Sequence, residues 1–162
     1  MNEQQRLWLV QAKSDYRMFT ELRHGPGPTC HVLHYLQMSA EKLAKAYFWG
    51  SGNPRRSHAV LLKFCRAIKS NDRLRMALEY EQRDAWKAMI DGISQVAFAV
   101  ERLAPDLAGD GPNPEYPWPP VLPAEAPVEF TFPIWRGPGA DAPMRKFLYF
   151  LDRLFMRSDS CF

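Results

Sequence analysis

His34, Gln37, Glu41 and Lys45 recur at three- and four-residue steps, which places an imidazole, an amide, a carboxylate and an ammonium group on one face of a helix. Such a strip can recognise a polar ligand; Glu41 and Lys45 can equally be an ordinary i,i+4 ion pair on a solvated face. Asp15 falls on the apolar stripe of an earlier helix, where an ionised carboxylate needs a partner. It is expected either to anchor a nucleotide or RNA groove, paired with His34 or Lys42, or to serve as a buried hydrogen-bonding bracket between two helices, the simpler reading. Arg55, Arg56 and His58 sit at an expected helix start, where backbone N–H groups favour anions. They form the phosphate-binding candidate, with a solvated loop as the plain alternative. As a general base His58 needs a nucleophile or second acid, and the sequence shows none beside it. His31 and His34 have the spacing of two metal ligands, but no third ligand accompanies them and no metal site is expected. Gly25-Pro26-Gly27 carries proline where a phosphate loop needs donating N–H groups.

The elements that must hold these residues are helices. Residues 3–23 read as amphipathic, with Trp8, Ala12, Asp15, Phe19 and Leu22 on one face. The stretch from His24 to Pro28 stops that helix, and Thr29 is expected to cap the next, whose stripe is Leu33, Leu36, Ala40, Leu43, Ala44 and Tyr47. Ser57 is expected to cap a short helix from His58 to Ile68. Helical patterning from Arg73 to Leu103 is interrupted by a polar run near residue 81, and Pro105 ends it. Residues 105–141 are rich in proline and glycine, which excludes helix. Their aromatic residues, Tyr116, Trp118, Phe130, Phe132 and Trp135, argue against a free linker. They predict an ordered, extended flap pinned by its rings, with the alternation at 128–132 reading as a short strand or hairpin arm. A last helix is expected from about Ala142 to Met156. The expected fold is therefore all-α: an antiparallel up-and-down bundle with a Pro- and aromatic-rich flap before its final helix.

The chain has 162 residues, 46% of them hydrophobic and 24% charged, which suits one globular domain spanning 1–162 rather than disorder. A net charge of +3 is too small to argue for nucleic acid by itself. Cys30, Cys65 and Cys161 are scattered, with no Cys-x-x-Cys pair, so a reducing, cytoplasmic setting is expected. The polar start of the chain does not resemble a secretory segment, no apolar run is long enough to cross a bilayer, and no membrane association or cofactor is expected.

Three pieces of this order resemble the HEPN families, small helical bundles tied to nucleotide and RNA biology. Ala12 precedes Asp15 by three residues on the first helix, with aromatics on both sides. The run from His34 to Lys45 carries an Ala-Glu-Lys core. Glu115-Tyr116-Pro117 stands where many HEPN proteins have an Arg-Tyr-Pro-like turn. The proline-rich segment after Trp118 is longer than that family's pattern. The resemblance implies either a metal-independent ribonuclease or toxin, using an Arg-x(4–6)-His motif late in the bundle, or a non-catalytic partner of a nucleotidyltransferase or a nucleotide-binding module. No His follows residue 58 here, and Arg17 with His24, which has the right separation, ends the first helix instead. The expectation is thus a non-catalytic HEPN-like binding or interaction module for a nucleotide, RNA or partner protein, with a ribonuclease toxin or a structural subunit of a larger enzyme as alternatives. Family analogy and an aromatic content of 13% also point to a homodimer.

Overall fold

The computed structural model describes residues 1–55, 57–135 and 141–162. It is all-helical, with eight helical segments and no strand among those residues. Helix α1 spans Glu3–Leu22, and Asn2 caps it by accepting a hydrogen bond from the Gln5 N–H at 2.8 Å. Its buried face is Gln5, Leu9, Ala12, Asp15, Tyr16 and Phe19, so the stripe is centred slightly away from Trp8 and Leu22, which are only half-buried.

Helix α2, Thr29–Gly50, begins one residue earlier than a Thr29 cap requires: Pro28, extended at φ −60° and ψ 140°, occupies the cap position without a side-chain hydrogen bond. Proline already holds the φ the chain needs there and has no N–H to leave unpaired. This helix is buried on several faces, from Val32 and Leu33 to Ala46 and Phe48. That burial explains why its polar side chains must find partners inside the protein. It ends at Gly50, where the Gln5 amide lies so close that a Cβ would meet it at 2.0 Å.

Helix α3 is Leu61–Ile68, shorter than the His58–Ile68 helix expected. Ser57 does not cap it; its hydroxyl accepts from the Ala59 N–H in a local turn, an arrangement serine adopts readily. The helix N-terminus is satisfied from a distance instead, because the Leu62 N–H donates to the buried Glu101 carboxylate at 3.1 Å. Helices α4, Asp72–Ala77, and α5, Arg83–Glu101, break as the polar run near residue 81 implied. Glu79 takes a left-handed φ of 60° there, flanked by the Arg153 and Arg157 guanidinium groups. Trp86 on α5 is buried and donates from its indole nitrogen to the Ile68 carbonyl at 3.0 Å, tying α5 to the end of α3.

Two expectations for the proline-rich segment fail. A short helix α6, Pro105–Ala108, forms with Pro105 in its first turn, where a missing N–H costs nothing. Residues 127–129 form a turn rather than a strand, with Glu129 N–H bonded to Ala126 O at 3.0 Å; alternation alone gives no strand without an edge to pair with. The one antiparallel bridge among the described residues joins Trp118 and Glu125. Trp118, Phe130 and Phe132 pack ring on ring, with centroids 5.0 to 6.0 Å apart, and Trp135 meets Phe19 of α1 edge-on at 5.9 Å. Helix α7, Ala142–Met156, starts at Asp141, whose carboxylate accepts from the Met144 N–H, and inserts Phe147, Phe150, Leu151 and Leu154 into the core. Helix α8, Ser158–Cys161, follows directly. The helices other than α6 and the rings of residues 118–135 share one contiguous apolar core. No helix among the described residues is long and apolar enough to cross a membrane.

Three groups in this core have acid–base chemistry set by burial. Burial pushes the Cys65 thiol up to about 12, helped by the negative Glu101, and pushes Cys161 up to about 11. Tyr16 is raised further still, by burial and by donating its hydroxyl to Asp152 at 2.6 Å. Each of these groups is neutral when folded and ionises at lower pH in the unfolded chain. The stability they contribute is therefore complete below about pH 9 and lost as pH rises through 11 and 12. Urea unfolding followed as a function of pH should show a flat plateau near neutrality and a decline beginning near pH 9 that Cys65→Ala makes shallower; an unchanged alkaline slope in that variant would contradict the assignment.

Candidate functional site

The centre of the polar structure is Glu41, only 4% exposed in the middle of α2. Its Oε1 accepts from Lys45 Nζ at 2.6 Å, and its Oε2 accepts from Gln37 Nε2 at 2.6 Å and lies 2.9 Å from His58 Nδ1. Gln37 and Lys45 are there because α2 places residues four apart on one line. His58 reaches the same carboxylate from the bend after α2, and its Nε2 faces the exposed Asp106 of α6 at 3.4 Å. A carboxylate this deep costs several kcal/mol in lost hydration, which attraction to one partner rarely offsets; three converging donors make it tolerable.

Lys45 is 6% exposed, and its ammonium lies 5.1 Å from the centroid of the Trp8 ring on α1. Beyond that pair opens a concavity of about 480 Å³ lined by Gln4, Leu7, Trp8, Gln11, Lys45, Trp49 and Arg55. The α1 residues lie three and four apart on one face, and Trp49 lies one turn beyond Lys45 on α2. Arg55 stacks its guanidinium over Phe48 at 5.6 Å, and its Nε is buried without a hydrogen-bond partner. The lining therefore offers two indole side chains, the Arg55 guanidinium and a Lys45 ammonium that Glu41 balances from behind, and no carboxylate among the described residues lines it. Indole faces bind planar groups and cations bind anions, so the chemistry suited to this concavity is recognition of a flat, negatively charged molecule.

The sequence candidates distribute unevenly around this site. Lys45 and Arg55 line the concavity; Gln37 and His58 support it through Glu41. The strip of α2 turns inward and spends its polar groups on one another, so Gln37, at 2% exposure, faces no solvent. Asp15 is a bracket: it accepts from Lys42 Nζ at 2.5 Å and from Gln11 Nε2 at 3.0 Å, and not from His34. His34 belongs elsewhere, with Nδ1 buried 3.4 Å from Glu115, outside hydrogen-bonding geometry. Arg56 lies outside the described residues. The expected anion site at the start of α3 is corrected, since His58 precedes the helix and the Glu101 carboxylate already occupies its N-terminus. His24 accepts from Arg23 Nε at 2.9 Å, and Arg17 is exposed. Trp8, Trp49, Gln4 and Gln11 were missed. The i,i+4 step from Lys45 to Trp49 could have revealed Trp49, whereas the approach of Trp8 depends on how α1 crosses α2.

No family model, curated protein or solved structure matches the chain.

The Asp15–Lys42 bracket gives a direct stability test. Asp15→Leu leaves the Lys42 ammonium in a mostly buried position, its side chain 14% exposed, with its partner gone. That variant should lose about 3 kcal/mol in chemical denaturation, and Asp15→Leu/Lys42→Met should recover most of it. A single variant as stable as the parent would show that the pair contributes no net stabilisation.

Proposed function

We propose that this chain is a HEPN-like, antiparallel up-and-down helical bundle that acts as a non-catalytic binding module, taking a nucleotide or the bases and phosphates of RNA in the concavity between α1, α2 and the following loop. The observation that carries this reading is Arg55, whose buried Nε points no hydrogen bond at the protein, beside Lys45 and two tryptophans around about 480 Å³. Stacking a base on an exposed aromatic face contributes about 1–3 kcal/mol, and a guanidinium supplies the matching phosphate contact. The contacts Asn2–Trp49, Trp8–Lys45 and Asp15–Lys42 run in opposite chain directions along α1 and α2, which supports the antiparallel part of the proposal.

The non-catalytic part rests on His58. It is oriented by Glu41, as a general base would be, yet no hydroxyl or thiol is hydrogen-bonded to it among the described residues. The nearest thiol chemistry in the helix that follows is Cys65, whose high pKa keeps it unreactive at neutral pH. The homodimer and the nucleotidyltransferase-type partner that the resemblance implies stay with this reading as proposals.

Adenosine and uridine monophosphates and a short single-stranded RNA, titrated against tryptophan fluorescence, test the reading. Binding should quench the signal, and Arg55→Gln should weaken affinity about tenfold or more while circular dichroism stays unchanged. Absence of quenching with all three probes, or equal affinity in Arg55→Gln, would overturn it.

A further inference from the structure

A second cleft lies on other elements, between the C-terminal half of α5, α6 and residues 130–134, and it has a different chemistry. It has a volume of about 610 Å³, and among the described residues that line it Arg102 alone has a polar side chain. The floor is Leu103 and Phe132, both nearly fully buried, with Phe130 half-buried beside them. Phe98 on the rim is left 46% exposed, an unusual position for a phenyl ring on a helix that buries its other aromatic residue, Trp86. Arg102 lies one turn beyond Phe98, with its guanidinium 5.9 Å from that ring. It forms no ion pair with any described carboxylate, so its five donors have only water and a ring face to meet.

We propose that this cleft binds a small amphipathic anion, an aliphatic or aromatic carboxylate, with its apolar body on Leu103, Phe130 and Phe132 and its carboxylate on Arg102. The volume falls within the range of small-molecule sites, about 300–1,000 Å³. A single cation at the edge of an otherwise apolar concavity matches one acidic head on one apolar tail, and a planar guanidinium binds carboxylate through two parallel hydrogen bonds. The same lining disfavours the ligand class of the first site, since among the described residues no second cation or polar side chain lines it to hold a sugar or a further phosphate. It also disfavours an extended peptide. Pro112 and Pro133 have no N–H to donate, so backbone pairing at those positions is denied. This site is independent of the nucleotide reading, which involves α1 and α2.

Calorimetric titration of the full chain with decanoate and decanol, each below its aggregation limit, tests the proposal. Decanoate should bind, Arg102→Gln should weaken it about tenfold, and decanol should bind parent and variant alike because it lacks the anionic head. Ala99→Leu, a helix-compatible substitution that fills the cleft from α5, should abolish binding of both probes while leaving the circular dichroism spectrum intact. Failure of decanoate to bind at about 1 mM, or equal binding by parent and Arg102→Gln, would overturn the proposal, as would undiminished binding in Ala99→Leu. Loss of nucleotide binding alone would leave it standing.

Discussion

A carboxylate buried in the middle of the most enclosed helix is the constraint around which the polar half of this protein is arranged. Glu41 sits where α2 has core on several sides, so its charge is almost wholly withdrawn from water. The chain meets that requirement with Gln37 and Lys45 from the same helix and His58 from the bend beyond it. Each donor is fixed in turn. Lys45 lies against Trp8 of α1, and the bend holding His58 sits just before α3, whose first turn is capped by Glu101. The position of the α1–α2 cleft, the aim of its cations and the entry of α3 thus all connect to one buried charge.

The two clefts differ because their walls come from different sources. The first is built where polar and aromatic side chains of α1 and α2 meet, and its charges are held by the network behind it. The second is built where α5 runs beside proline-rich chain that cannot extend a helix or a sheet. Apolar rings fill that junction incompletely, and one arginine remains at its edge. Proline and aromatic residues pack without forming regular backbone pairings, which leaves room between them that a helix face would have closed.

Much of the helical layout was legible in the sequence. The periodicity of α1, α2, α5 and α7 is strong, and Gly50, the polar run near residue 81 and Pro105 mark real interruptions. The Glu41–Lys45 relation was visible as a four-residue step. Spacing gives the face of a helix but not what that face meets, so it could not show that the strip with Gln37 turns inward, that His58 joins it, or that His34 leaves it for Glu115. The local signals that misled have physical explanations. Thr29 yielded the cap to Pro28, whose fixed φ suited the position, and Ser57 satisfied a local turn while Glu101, far along the chain, capped α3. The alternating residues 128–132 had strand character but no neighbouring edge to pair with.

The account depends most on Glu41 as a charged partner rather than a shape filler. Glu41→Gln keeps the volume and the hydrogen-bonding capacity of one oxygen but removes the charge that balances Lys45. Equilibrium urea unfolding of that variant at neutral pH is the most direct measurement. The account predicts a loss of about 3 kcal/mol or more, largely restored by Glu41→Gln/Lys45→Met. A Glu41→Gln variant as stable as the parent would contradict it.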